Sequence, residues 1–149
     1  MASRGAAFDE DELAAWHGLL RTHALVVRAL DEQLARRHGL AVSEFDVLIT
    51  LANAPGDELS MSQLADAVML SPSGLTRLVG RLERDGLVIR RQDTTDARSF
   101  RASLTPRGRR ALDDARKTHN TVIRDLYLDR LSPAQRKALG RTWQAVHRR

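Results

Sequence analysis

Apolar residues Leu13, Trp16, Leu20, Ala24, Val27, Leu30 and Leu34 recur three and four positions apart, which puts them on one side of a helix. Leu19 and Val26 fall off that stripe. A helix apolar on more than one side needs covering on more than one side, and in so short a chain a second copy is one cover. Gly39 supplies a stop, because glycine takes the left-handed conformation that ends helices. Ser43 predicts the cap of a second helix through Phe45, Leu48, Ile49 and Leu51, ended by Pro55 and Gly56.

Ser60 followed by Gln63 is a capping-box pattern, so a short third helix should carry Leu64, Ala65, Ala67 and Val68. Ser71 before Pro72 gives a cap and a first-turn proline for a fourth helix reaching Asp85, with Leu75, Leu78, Val79 and Leu82 as its buried side. Two capped helices separated by Met69 and Leu70 make a helix-turn-helix. Gly86 closes the fourth helix, 87–91 alternates as a strand, 93–97 is polar turn material, and 100–104 pairs back as a second strand. That hairpin is a wing. Thr105-Pro106 and Ser132-Pro133 repeat the cap-then-proline device and open two more helices. The expected architecture is mainly α with a small β-wing. A winged helix-turn-helix lobe at about 43–104 stands between dimerisation helices at about 10–38 and 105–149, in one domain preceded by a flexible N-terminus at 1–9.

Charge sharpens this picture. The chain has 149 residues and a formal net charge of +5. Between Arg77 and Arg110 ten arginines face four acids, so this segment carries +6 and the rest of the chain −1. Such a local positive field beside a helix-turn-helix pattern favours an anionic polymer as partner. Nearly all the cations are arginine, whose planar fork suits phosphates and guanine edges. The chain contains no cysteine, which excludes a disulfide framework, a thiolate metal cage and a cysteine redox switch. No apolar run approaches the roughly 20 residues that span a bilayer, and Met1 to Asp9 lack a signal-peptide core. A soluble cytoplasmic protein with no membrane partner is expected.

Position assigns roles within the fourth helix. Ser71, Ser73, Gly74, Thr76 and Arg77 occupy the first turns, the part that a helix-turn-helix pushes into the major groove. Gly74 allows close backbone approach. Arg77 is the candidate for a base contact, and Arg81, one turn later, for a phosphate; Ser71 as a plain cap and the two arginines as solvated side chains are the alternatives. Arg90, Arg91 and Arg101 on the wing strands fit either phosphate contacts or solvated surface.

The run Ser71-Pro-Ser-Gly-Leu-Thr-Arg-Leu-Val-Gly-Arg-Leu-Glu-Arg-Asp-Gly-Leu-Val-Ile-Arg-Arg resembles the recognition helix and first wing strand of the MarR family of transcriptional regulators. Asp96-Ala-Arg-Ser-Phe-Arg-Ala-Ser-Leu-Thr-Pro-Arg-Gly108 is similar to the family's second signature, an Asp-x-Arg wing tip leading into Leu-Thr-x-x-Gly. The two blocks stand in the family's order, and the helix order agrees from Leu13 onward. The resemblance implies an obligate homodimer whose lobes each read half of a roughly palindromic DNA operator. It gives Arg98 the role of the arginine that enters the minor groove and Asp96 that of the acid bracing it. An Asx turn is the other role that fits Asp96.

Family members often bind a small aromatic or anionic effector between the winged lobe and the dimer helices, which would make this chain a ligand-responsive repressor. No motif transfers that site. Trp16, His17, Arg21 and His23 combine an aromatic face with cationic groups, and His17 and Arg21 share a face at i, i+4; a packing tryptophan among interface polar residues is the other reading, and the one the residues favour. The five histidines form no metal-ligand spacing, so no metal or cofactor is expected. An enzyme has no foothold: GxSxG, HExxH and a glycine-rich phosphate loop are all missing. A winged-helix module for protein contacts, or an activator without small-molecule control, are the other readings.

Overall fold

The computed structural model describes residues 7–96 and 98–148. Most of the predicted flexible N-terminus, residues 1–6, and Ala97 in the wing turn lie outside them. The chain divides into two compact units, one of residues 31–120 and one formed by the segments before and after it. The first helix, α1 (Glu10–His38), is followed by α2 (Val42–Asn53), a 3-10 turn at Pro55–Asp57, β1 (Glu58–Ser60), α3 (Met61–Ala67), α4 (Pro72–Arg84), β2 (Val88–Gln92), β3 (Phe100–Leu104), α5 (Pro106–Leu126), a 3-10 turn at Leu128–Arg130 and α6 (Pro133–His147).

Within 31–120 the helices bury the sides their periodicity predicts. Leu34 of α1, Phe45, Val47, Leu48 and Leu51 of α2, Leu64 of α3, Leu75, Leu78, Val79 and Leu82 of α4, and Leu112 and Ala115 of α5 form one core with Val88 and Ala102 of the sheet. Each fully buried leucine or phenylalanine contributes about 1.5–3 kcal/mol, so this cluster holds the lobe together. The sheet is antiparallel with order β1-β3-β2; Leu59 pairs with Ala102, and Arg90 pairs with Ala102 from the other side. β1 is absent from the sequence expectation. Three residues show no alternation, and their strand conformation comes from pairing with β3 some 40 positions away.

The second helix starts earlier than Ser43 predicts: Ala41 is its N-cap and Ser43 lies inside the first turn. Two carboxylates do the capping that a serine would have done. Glu44 Oε2 accepts from the Ala41 N–H at 3.0 Å, and Asp31 Oδ1 accepts from the Val42 N–H at 3.1 Å. The other caps stand where the sequence puts them, with the Ser60, Ser71 and Ser132 hydroxyls accepting from the N–H groups of Gln63, Gly74 and Gln135.

In the other unit, residues 11–20 of α1 are exposed without exception. Leu13, Trp16, Leu19, Leu20 and Leu25 thus leave a long apolar surface uncovered by the chain itself, with Trp16 and Leu25 each about half accessible (51% and 52%). On α6, Leu139 and Trp143 are half-buried and Val146 is exposed. No helix among the described residues is long and apolar enough to cross a membrane.

Candidate nucleic-acid interface

The start of α4 is built from local bonds. Ser71 Oγ accepts from the Gly74 N–H at 3.2 Å, and Pro72 occupies the first helical position, where its missing N–H costs nothing. A Cβ on Gly74 would stand 3.0 Å from that same Ser71 Oγ, so the bare glycine serves its own cap as well as any approach to a ligand. The turn from α3 bends through Met69, which takes a left-handed backbone with φ 54° and leaves its side chain 91% exposed. Leu75, Leu78, Val79 and Leu82 fix one side of α4 in the core. Helical geometry then turns Ser73, Thr76, Arg77 and Arg84 outward, and all four are exposed. Thr76 Oγ1 donates to the Pro72 carbonyl at 2.8 Å and keeps its lone pairs free to accept.

The wing is β2 and β3 with their connecting turn. Asp93 Oδ1 accepts from the Thr95 N–H at 2.8 Å and from the Thr95 hydroxyl at 2.6 Å. These bonds, helped by Arg101, hold the Asp93 carboxyl below the ordinary aspartate range. Asp96 Oδ1 accepts from the Arg98 N–H at 3.0 Å, and the Ser99 N–H returns to the Asp96 carbonyl at 2.9 Å. Asp96 thus makes the Asx turn that the sequence also allows it, and among the described residues no ion pair joins its carboxylate to the Arg98 guanidinium.

Ion pairing sorts the arginines that composition lumps together. Arg90 Nε lies 2.6 Å from Glu83 Oε2, and the Arg90 N–H donates to Glu83 Oε1 at 2.9 Å, tying the first wing strand to the end of α4. Arg101 is shared by Glu58 and Asp93, and Arg109 is paired with Asp57. Arg81 Nε donates to Glu44 Oε1 at 3.1 Å, a partner that sequence reasoning missed because it lies 37 positions away. Arg77, Arg84, Arg91 and Arg98 are exposed and have no carboxylate partner among the described residues. The cations on α4 and the wing without a carboxylate partner are thus fewer than the net charge suggests: Arg77 in the first turns of α4, Arg84 at its end, and Arg91 and Arg98 along the wing.

Trp16, His17, Arg21 and His23 are exposed along α1, and among the described residues no hydrogen bond, ion pair or ring contact draws them into a cluster. His38 and His119 sit elsewhere: His38 Nε2 is 2.8 Å from Thr118 Oγ1, and the His119 ring stacks on Phe45 with centroids 4.5 Å apart. Among the described residues no group of three or more metal-ligating side chains is assembled.

The geometry agrees with known proteins. The model of the MarR family matches residues 38–99. The HTH-type transcriptional regulator YkoM of Bacillus subtilis is 31% identical over 116 residues, 76% of this chain and 74% of its own length. Among solved structures, Sco3205, a MarR family transcriptional regulator from Streptomyces coelicolor in complex with DNA, superposes with a TM-score of 0.89 at 30% identity, over 97% of this chain and 90% of that one. AbsC, a MarR family regulator from the same organism, gives 0.87 at 28% identity over 95% of each chain.

Proposed function

Because this chain belongs to the MarR family of transcriptional regulators, we propose that it acts as a homodimer that represses transcription from a palindromic DNA operator and releases it on binding a small aromatic or anionic effector. It is a DNA-binding regulator and not an enzyme. The observation that carries the proposal is the arrangement of α4: a capped N-terminus presents Ser73, Thr76 and an unpaired Arg77 on one exposed face, the part of a helix-turn-helix that enters the major groove. Arg77 reads a base edge there, Ser71, Gly74 and Arg81 meet the phosphate backbone, and Arg91 and Arg98 extend the contact along the wing. Asp96 serves by holding the wing-tip backbone from which Arg98 projects.

The uncovered leucines and Trp16 of α1 support the dimer, since an apolar surface of that length is normally buried against a partner. The same helix offers Trp16, His17, Arg21 and His23 to an aromatic acid, with His17 and Arg21 one turn apart as anion ligands. The proposed target, chromosomal DNA, puts its work in the cytoplasm. Recovery of bound fragments from sheared genomic DNA, followed by footprinting with and without added small aromatic acids, tests the operator, the dimer and the release. Protected sites with two-fold symmetry and half-sites about 10 base pairs apart are expected. Asymmetric protection, or sedimentation as a folded 16.6-kDa monomer, would refute it.

A further inference from the structure

We propose that Glu44 is a positioning residue for DNA binding, holding the Arg81 guanidinium in the orientation in which α4 meets a phosphate. The inference rests on the reading of α4 as the groove-facing helix. Glu44 is the one buried charged side chain among the described residues, and both of its oxygens are used. Oε2 accepts from the Ala41 N–H at 3.0 Å and so caps α2; Oε1 accepts from Arg81 Nε at 3.1 Å. Only a carboxylate can do this, because glutamine offers one acceptor and one donor, and aspartate is a methylene too short to reach both sites. The α2 start that anchors Glu44 is itself tied to α1, through Asp31 Oδ1 and the Val42 N–H at 3.1 Å. Arg81 gives only its Nε to Glu44. Its side chain is 48% exposed, and its terminal nitrogens keep their donors for an outside oxygen.

Two effects of opposite sign decide what Glu44 does for DNA. Its negative charge repels phosphate, but the Arg81 guanidinium in direct contact with it offsets that field, so that the charge by itself changes affinity only about twofold. Fixing a rotamer-rich side chain before binding saves the cost of ordering it later, worth about two- to tenfold per side chain. Alignment therefore wins, and Glu44 strengthens binding.

A double-mutant cycle tests this on the full chain, using anisotropy of a fluorescein-labelled mixed-sequence duplex of about 30 base pairs, long enough for two half-sites, at several salt concentrations. Glu44→Gln should keep α2 intact, because Gln63 and Gln135 already take the N–H groups of Ser60 and Ser132 in the same way, and thermal melting verifies it. Arg81→Ala should weaken binding and lower the log–log salt slope by about 0.9 per subunit. Glu44→Gln should weaken binding about two- to tenfold in the wild-type background and leave Arg81→Ala unchanged. An equal loss in both backgrounds, no loss, or tighter binding in Glu44→Gln would each overturn the proposal, as would an Arg81→Ala variant with wild-type affinity and slope. Absence of salt-dependent binding by the wild type would instead refute the underlying reading of α4.

Discussion

Gly108, the last residue of the Leu-Thr-x-x-Gly signature, is the position where one added methyl group should do the most damage. An alanine Cβ there would stand 1.9 Å from the Leu87 carbonyl oxygen, 2.9 Å from its carbon and 3.2 Å from Leu87 Cα. All three are backbone atoms, so no side chain can rotate out of the way, and α5 must part from the Leu87 corner by more than about 1 Å. That corner is stitched by Thr105, whose N–H donates to the Leu87 carbonyl at 3.1 Å, whose hydroxyl donates to the Gly86 carbonyl at 2.6 Å, and whose oxygen accepts from the Gly108 N–H at 2.9 Å. Overpacking costs about 1–3 kcal/mol, and losing one or two of these bonds about 1 kcal/mol each. Against this, alanine gains up to about 1 kcal/mol of helix propensity over glycine. The net loss should be about 2–4 kcal/mol, or a melting temperature about 5–15 °C lower at fixed protein concentration. Gly80→Ala is the control within the same chain: its Cβ meets nothing within 4 Å, so helix propensity acts alone and the melting temperature should rise slightly. Differential scanning calorimetry of both variants decides the matter. A Gly108→Ala protein that melts at or above the wild type would refute the argument that backbone contact, not conformational freedom, requires glycine there.

Arg77→Ala should cost about 1–3 kcal/mol per half-site on the operator and much less on unrelated DNA; a panel of single-base operator variants should show lost discrimination at symmetric positions, and uniform weakening would assign Arg77 to phosphate. Arg98→Ala should leave melting unchanged, because its exposed side chain belongs to no core, and should flatten the log–log salt dependence by about one to two units per dimer; an unchanged slope would detach the wing from DNA. Partial desolvation pushes the Asp46 carboxyl above its ordinary value, against the opposing pull of His119. A raised folded-state pKa means stability that is fully present below the unfolded pKa and lost as pH rises through the folded one. Asp46→Asn should therefore melt higher than the wild type at pH 7, with the gain vanishing as the buffer is brought below about pH 4; a gain that grows on acidification would reverse the assignment.

The features that the sequence determines by itself are those decided within one or two turns of chain. Ser60 with Gln63, Ser71 with Pro72 and Ser132 with Pro133 start helices because the cap and the N–H it accepts are three residues apart. The inward side of α4 is fixed by the spacing of Leu75, Leu78, Val79 and Leu82, and with it the outward side that carries Ser73, Thr76 and Arg77. The wing hairpin follows likewise from two short runs and a polar turn. What required the tertiary structure is every partnership formed across distance. β1 exists because β3 pairs with it, and the cap of α2 moves to Ala41 because Asp31 and Glu44 supply oxygens there. Arg81 and Arg101 are held by Glu44 and Glu58, partners 37 and 43 positions away, while among the described residues Arg77 and Arg98 have no such partner. Gly108 is required by a carbonyl 21 residues earlier, not by its own backbone angle. Local pattern sets which face each helix shows, because hydrogen bonding within a helix is short-range; which cations on that face are held and which stand unpaired is set only when chain closure brings carboxylates from other elements beside them.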